Sequence, residues 1–293
     1  MNEIKNLLKE KANIVDKTLE EIMEITDPDS RTLHEAMKYT LFSGGKRIRP
    51  ILTMMVAEMI SGNLKIAKKV GAAIELIHTY SLIHDDLPSM DDDDYRRGEL
   101  TNHKVYGPGI SILAGDALLT YSFQVLSKLD FSKEKLLKII EIIADSAGIN
   151  GMVGGQVLDL EAEESDINLE ELRKIHEKKT GALIRCSILA GAYCGQPEPV
   201  EIEFLKDYAH YLGILFQIVD DILDVIGDAD KMGKSVGQDQ QLNKSTYPEL
   251  LGLKGAQKEA EKMAKKADNS LNIFGEKAAD LKLLTDFVLN RQY

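Results

Sequence analysis

The chain has 293 residues, 44% of them apolar and 29% charged, with a formal net charge of -12. That is an ordinary globular balance, near the size at which one hydrophobic core stops growing. The negative excess excludes nucleic acid as the usual partner, because a phosphate backbone rewards cationic surfaces. Aromatic residues are only 6%, Trp is absent, and Cys186 and Cys194 have neither zinc spacing nor a disulfide framework. A helical core of Leu, Ile, Ala and Met in a reducing cytoplasm is expected.

The first residues alternate charge with single apolar positions, unlike a secretory leader, and no run approaches the ~20 apolar residues of a membrane span. Leu7, Leu8, Ile14, Val15, Leu19 and Ile22 form the stripe of a surface helix over 1–25. A short helix over Leu33–Phe42 ends at Ser43-Gly44-Gly45, and Pro50 opens another that reaches Ile60. Residues 66–86 are rich in Ala, Ile and Leu on most sides, which predicts a buried helix. Helical patterns follow over 110–129, 133–146, a glycine-laced stretch through 151–155, then 167–192, 199–225, 247–268 and 273–290. No stretch combines β-branched enrichment, alternation and a hairpin turn, and no linker separates two domains. The pattern predicts one all-α domain over 1–293.

Two of these helices end in aspartates. Asp85-Asp86-Leu87-Pro88-Ser89-Met90-Asp91-Asp92-Asp93-Asp94 runs into Tyr95-Arg96-Arg97-Gly98, and Gln217 is followed by Asp220, Asp221 and Asp224. Helix residues three or four apart share a face, so Gln217 and these three carboxylates present to one region while Phe216, Ile218, Val219, Ile222 and Leu223 embed the rest. Carboxylates crowded on an apolar helix need a cation, since the dipole disfavours anions toward the C-terminus. Hard oxygen donors in that number favour magnesium or calcium, and the spacing of a calcium EF-hand is missing. In the first cluster His78, Ser81 and Asp85 follow helical spacing. Pro88 cannot continue the hydrogen bonding, so a looped segment is expected to fold Asp91 back toward Asp85. A solvated charge run is the bland alternative; Arg96 and Arg97 weigh against it, because guanidinium forks suit diphosphate oxygens.

Gly44-Gly45-Lys46-Arg47-Ile48-Arg49-Pro50 sets three cations between a helix stop and a helix start, where unpaired N–H groups favour phosphate. It is not a P-loop, which removes the best support for a nucleotide triphosphatase. Lys179-Thr180 lies within a helical stretch and Lys234 follows the second cluster; each alone is ordinary surface. Together with Lys46, Arg49, Arg96 and Arg97 they suffice to neutralise two diphosphates, with His78 facing the same way as Asp85. His84, beside Asp85 but off its face, reads as structural.

Six motifs then fall in one order: Gly-Gly-Lys-Arg-Ile-Arg-Pro at 44–50, Leu-Ile-His-Asp-Asp through Tyr-Arg-Arg-Gly at 82–98, Leu-Ala-Gly-Asp-Ala-Leu at 113–118, Gly-Gly-Gln-Val-Leu-Asp at 154–159, Lys-Lys-Thr-Gly at 178–181 and Gln-Ile-Val-Asp-Asp-Ile-Leu-Asp at 217–224. In this the chain resembles the trans-isoprenyl diphosphate synthases over essentially its whole length, most nearly their bacterial farnesyl-forming members. The resemblance implies the all-α isoprenoid synthase fold, with antiparallel helices around a deep central cavity, a homodimer, and a requirement for magnesium, three ions per site with substrate bound. It implies head-to-tail condensation of dimethylallyl or geranyl diphosphate with isopentenyl diphosphate. By matching position, Asp85 and Asp91 resemble the metal ligands of the first motif with Asp86 in support, and Asp220 the principal ligand of the second, aided by Asp221 and Asp224. Lys46, Arg49, His78 and Arg97 resemble the isopentenyl diphosphate binders; Arg96, Lys179, Thr180, Gln217 and Lys234 resemble the allylic diphosphate contacts. Catalysis would then rest on Asp85, Asp91, Arg96, Lys179, Asp220 and Lys234. Gln156 and Asp159 match residues that line the reacting region, while Arg47 matches no contact. One departure is Gln238 before Asp239, where many relatives carry a second Lys.

Product length falls to Tyr80 and Ser81, five and four residues before Asp85, about 6–7.5 Å along a helix. An aromatic at 80 resembles the floor of farnesyl-forming enzymes, as do the two extra residues between Asp86 and Asp91. The expected product is C15, with a geranylgeranyl diphosphate synthase as the alternative. A terpene cyclase or a diphosphate hydrolase would share the aspartate logic, but related cyclases generally lack the Gly-Gly-Lys-x-x-Arg-Pro segment. A non-catalytic prenyl-diphosphate-binding subunit would be expected to have lost some of the carboxylates.

Overall fold

The computed structural model describes residues 2–24, 28–60, 64–162, 165, 167–226 and 245–291. Its core is built on α4 (Leu64–Asp85), whose Ile66, Val70, Ile74, Leu76, Ile77 and Ile83 are buried around the whole circumference. Such a helix is stable only when neighbours cover every side. They are α3 (Ile48–Ile60), α6 (Pro108–Ser127), α10 (Ala182–Tyr193) and, outside them, α1 (Asn2–Ile22) and α2 (Arg31–Leu41). The long α11 (Pro199–Ile226) closes another side against α10 and is itself backed by α13 (Leu253–Ser270) and α14 (Ala279–Asn290). α5 (Asn102–Tyr106), α7 (Lys133–Ala147), α8 (Met152–Ala162), α9 (Leu169–His176) and α12 (Tyr247–Leu251) complete the helices described. This is the all-α architecture expected from the sequence.

Four local departures from the sequence reading have physical causes. The segment after the first aspartates forms a minimal antiparallel hairpin, β1 (Tyr95–Arg96) against β2 (Glu99–Leu100). Its turn places Arg97 and Gly98 at φ 56° and 82°, the type I′ geometry usually signalled by Asn-Gly rather than Arg-Gly. The single helix expected over 167–192 is split by a π-turn at Glu177–Gly181. The one expected over 247–268 breaks at Gly252 between α12 and α13. Finally, α6 is long and apolar enough to cross a membrane by length and composition alone, with 39% of it buried. The sequence reading expected no run of that kind. Ala114, Leu118, Val125 and Leu126 face the core, while Ile112 and Leu113 face outward.

Candidate active site

The first aspartate cluster begins where α4 ends. Leu87 N–H donates to His84 O, Met90 N–H to Leu87 O, and Asp91 N–H returns to Asp85 O at 2.9 Å. Pro88 thus sits in a compact loop that brings Asp91 back beside Asp85, as its missing N–H predicted. Burial raises the Asp85 carboxyl to about 6; Lys179 opposes that shift, and Asp91 and Asp86 add to it. Asp86 is turned inward. It is 1% exposed and accepts from Arg96 Nε at 2.6 Å, although burial still pushes its carboxyl above the usual carboxylate range.

The hairpin that carries Arg96 and Arg97 is tied down at its base. Thr101 Oγ1 donates to Asp93 O at 2.7 Å, Tyr39 OH donates to Leu100 O at 2.8 Å, and Asn102 Nδ2 reaches Ala36 O at 2.8 Å. Arg97 then lies over the glycine turn after α2, donating to Gly44 O. A Cβ on Gly45 would fall 2.7 Å from that guanidinium, so the Gly-Gly pair makes room for it. Arg49 and His78 lie beneath, and burial together with Arg49, Arg97, Arg96 and Arg47 holds the His78 imidazole neutral, well below its ordinary range. Lys46 stands exposed nearby; partial desolvation and Arg291 pull its ammonium down to about 8. Arg47 points the other way. Its backbone takes φ 50° and its buried guanidinium bonds Asp16, Glu75 and Leu41 O, which makes it a structural cation.

Across the cavity, the π-turn projects Lys179 and Thr180 inward; an inserted residue of this kind re-aims side chains and is frequent at functional sites. Lys179 Nζ bonds Asp159 Oδ2 at 2.6 Å, and Thr180 Oγ1 donates to Gln217 Oε1 at 3.0 Å. Gln217 Nε2 in turn donates to Asp221 Oδ1 at 2.9 Å, and Tyr247 N–H occupies Asp221 Oδ2 at 3.0 Å. Both oxygens of buried Asp221 therefore accept from protein donors. Asp224 is also buried, whereas the Asp220 side chain is 42% exposed. Asp220 Oδ1 accepts from Arg291 Nη2 at 2.7 Å, while the same guanidinium lies 4.0 Å over the Phe216 ring. Lys234 lies outside the described residues.

Between these walls is a cavity of about 530 Å³. Its lining combines polar Arg49, His78, Asp85, Gln156, Lys179 and Thr180 with apolar Tyr80, Met90, Ile112, Met152 and Val157. A cavity with both kinds of lining suits an amphiphile with an anionic head and a hydrocarbon tail.

Residues 30–281 match the family model described as Polyprenyl synthetase. The chain belongs to the polyprenyl synthetase family. It is 46% identical over 259 residues to a farnesyl diphosphate synthase of Bacillus subtilis, covering 87% of each chain. It is 43% identical over 286 residues to a chloroplastic geranylgeranyl pyrophosphate synthase of Capsicum annuum, covering 96% of this chain and 77% of that one. Among solved structures, the geranylgeranyl pyrophosphate synthetase of Pyrococcus horikoshii superposes with a TM-score of 0.90 at 32% identity, covering 99% of each chain. The chain is thus a trans-prenyl diphosphate synthase, a prenyltransferase acting on prenyl diphosphates.

Polyprenyl synthetases are magnesium-dependent as a family, and the donor set here fits that ion. Asp85 lines the cavity, and Asp91 beside it and the partly exposed Asp220 offer further hard carboxylate oxygens. Among the described residues no three ligating groups already converge on one point, but magnesium takes one or two carboxylates with substrate phosphates and water rather than an all-protein cage.

The synthetase also contains two site features that sequence reasoning missed. Arg291 joins the second aspartate motif from 71 residues away, with no local motif to announce it. Gly155 is the other: a Cβ there would lie 2.2 Å from Lys179 N, so its absence lets α8 close on the π-turn.

Proposed function

We propose that this synthetase joins dimethylallyl and then geranyl diphosphate to isopentenyl diphosphate, head to tail, and stops at farnesyl diphosphate. The supporting observation is the mixed cavity. Its lining holds Arg49, His78, Lys179 and Asp85 together with the Tyr80 ring, which is 7% exposed, sits beside Ser81 and lies five residues before Asp85 on the same helix. Ser81 Oγ is turned back onto His78 O at 2.9 Å, which leaves the aromatic ring as the bulky stop.

In this reading Lys179, Thr180 and Arg96 orient the allylic diphosphate, with Lys234 completing that set and Gln217 holding Thr180. Lys46, Arg49, His78 and Arg97 hold isopentenyl diphosphate. Asp85, Asp91 and Asp220, with Asp224 behind it, would hold magnesium, while Asp86 and Asp221 orient Arg96 and Gln217. Magnesium, when bound, supplies charge that stabilises the departing diphosphate. The allylic C–O bond breaks with its electron pair leaving on diphosphate, a charge that Lys179 and Arg96 meet in the transition state. The isopentenyl double bond attacks the allylic carbon, and the proton then lost passes to the departed diphosphate. The apolar walls exclude the water that would quench the cation.

A single catalytic domain and a homodimer belong to the same reading. Exposed Leu113 on α6, outside the cavity lining, is an apolar position that a second copy would cover. A monomeric mass by light scattering in the active protein would contradict the dimer. The rival product is C20, favoured by the several relatives named geranylgeranyl synthases. Chromatography of the products separates the two: C15 from the unmodified enzyme and C20 or longer from Tyr80→Ala support the reading, and C20 from the unmodified enzyme defeats it.

A further inference from the structure

Position 115 on α6 has no room for a side chain. A Cβ at Gly115 would lie 2.2 Å from Nε2 and 2.4 Å from Cδ2 of His84, the residue just before Asp85. The imidazole occupies the gap that the glycine leaves. Its Nε2 is 3.1 Å from the Ile112 carbonyl oxygen, an acceptor, so that nitrogen carries the proton. The Asp116 carboxylate lies 3.9 Å from the same nitrogen. One helical turn back, the Tyr80 ring meets the imidazole edge to face, with centroids 5.5 Å apart and planes at 82°. Both rings line the cavity.

A tyrosine at a tunnel floor blocks growth only while its ring stays across the tunnel. Each five-carbon addition pushes against it, and a ring free to change rotamer would let the chain by. On its own helix the ring-to-ring contact of Tyr80 is with His84, the residue four positions on, which shares its face. His84 is in turn fixed from α6, by a backbone acceptor on one side and by the close approach at Gly115 on the other. We propose that His84 is a specificity-positioning residue: seated against Gly115 and the Ile112 carbonyl, it braces the Tyr80 ring and so sets where the growing prenyl chain stops. The proposal rests on the reading of Tyr80 as the floor.

The test compares product lengths from dimethylallyl and isopentenyl diphosphates for the unmodified enzyme, Tyr80→Ala, His84→Ala, Gly115→Ala and the double variant Tyr80→Ala/His84→Ala. His84→Ala is expected to raise the C20-to-C15 ratio by about three- to tenfold, the factor that one edge-on aromatic pair accounts for. Gly115→Ala, which displaces the imidazole while leaving both rings in the chain, should leak in the same direction. The double variant should match Tyr80→Ala alone, because a brace has no effect once its ring is gone. Should Gly115→Ala fail to fold, the His84→Ala single and double variants decide the matter. If His84→Ala stops at C15 while Tyr80→Ala lengthens the product, the brace is overturned and the floor reading stands. If the double variant makes longer products than Tyr80→Ala, His84 acts independently and the positioning role is overturned. If Tyr80→Ala still stops at C15, the floor reading and the brace fall together.

Discussion

Arg47→Met removes a cation from the middle of a packed region without touching the cavity. The guanidinium is 4% exposed and holds three elements at once: Nε to Asp16 of α1 at 2.9 Å, Nη1 to Glu75 of α4 at 3.0 Å and Nη2 to Leu41 O at the end of α2 at 2.7 Å. Glu75 is 2% exposed, so methionine leaves a carboxylate without its closest partner, and breaking a buried pair in that way costs about 3–5 kcal/mol. Arg49 and Arg97 act on Glu75 at longer range, which argues for the lower end, about 3 kcal/mol. For a chain of this size the melting temperature should then fall by roughly 5 °C. Thermal unfolding followed by circular dichroism measures this directly. A second variant, Arg47→Met/Glu75→Leu, removes both charges and should recover at least half of the loss, since an apolar replacement of a buried pair is often neutral. The KM for isopentenyl diphosphate should stay near that of the parent at temperatures where the variant is folded. A melting temperature within 2 °C of the parent, or a double variant no more stable than the single one, would refute the reasoning.

Three further predictions concern the cavity. Asp85→Ala and Asp220→Ala should each lower kcat by about 10²–10³, the loss expected for a transition-state charge contact, with melting temperatures close to the parent; near-normal magnesium-dependent rates would remove either residue from the metal role. Arg291→Met frees Asp220 Oδ1 from a guanidinium 2.7 Å away; Mn²⁺ binding to the substrate-free protein, read by electron paramagnetic resonance, should tighten, and weaker binding would show that Arg291 supports the site instead of competing for it. Gly155→Ala forces a Cβ to 2.2 Å from Lys179 N; α8 must shift, at a cost of about 1–3 kcal/mol, and turnover should fall more than stability alone explains, whereas unchanged turnover would mean that the π-turn tolerates displacement.

The helices were legible because burial writes a period into the sequence. The all-round apolar α4 and the mixed face of α11, with Gln217, Asp220, Asp221 and Asp224 against buried Ile218, Val219 and Ile222, needed nothing beyond that period. The return of Asp91 to Asp85 was legible for a different reason: a proline inside a helix pattern removes a donor, and the chain must turn. What could not be read depends on contacts between distant segments. The hairpin at 95–100 is only two pairs long, too short to show alternation. The π-turn at 177–181 inserts a residue without any compositional mark. Whether Asp86 and Asp221 face the cavity or a protein donor is decided by Arg96 and by Tyr247, ten and 26 residues away. Spacing alone puts all the aspartates on one footing; geometry separates Asp86 and Asp221, whose oxygens are held by protein donors, from Asp85, which lines the cavity.

The central claim is that the two aspartate motifs and the cations between them serve carbon–carbon bond formation from two prenyl diphosphates. Purified protein is incubated with dimethylallyl diphosphate and carbon-14-labelled isopentenyl diphosphate, with magnesium or with excess chelator, and both labelled prenyl product and free diphosphate are quantified. The account predicts label in a longer allylic diphosphate, one diphosphate released for each isopentenyl unit joined, and loss of both signals with chelator. Diphosphate release without joined carbon, or joining that persists at full rate with chelator, would contradict it.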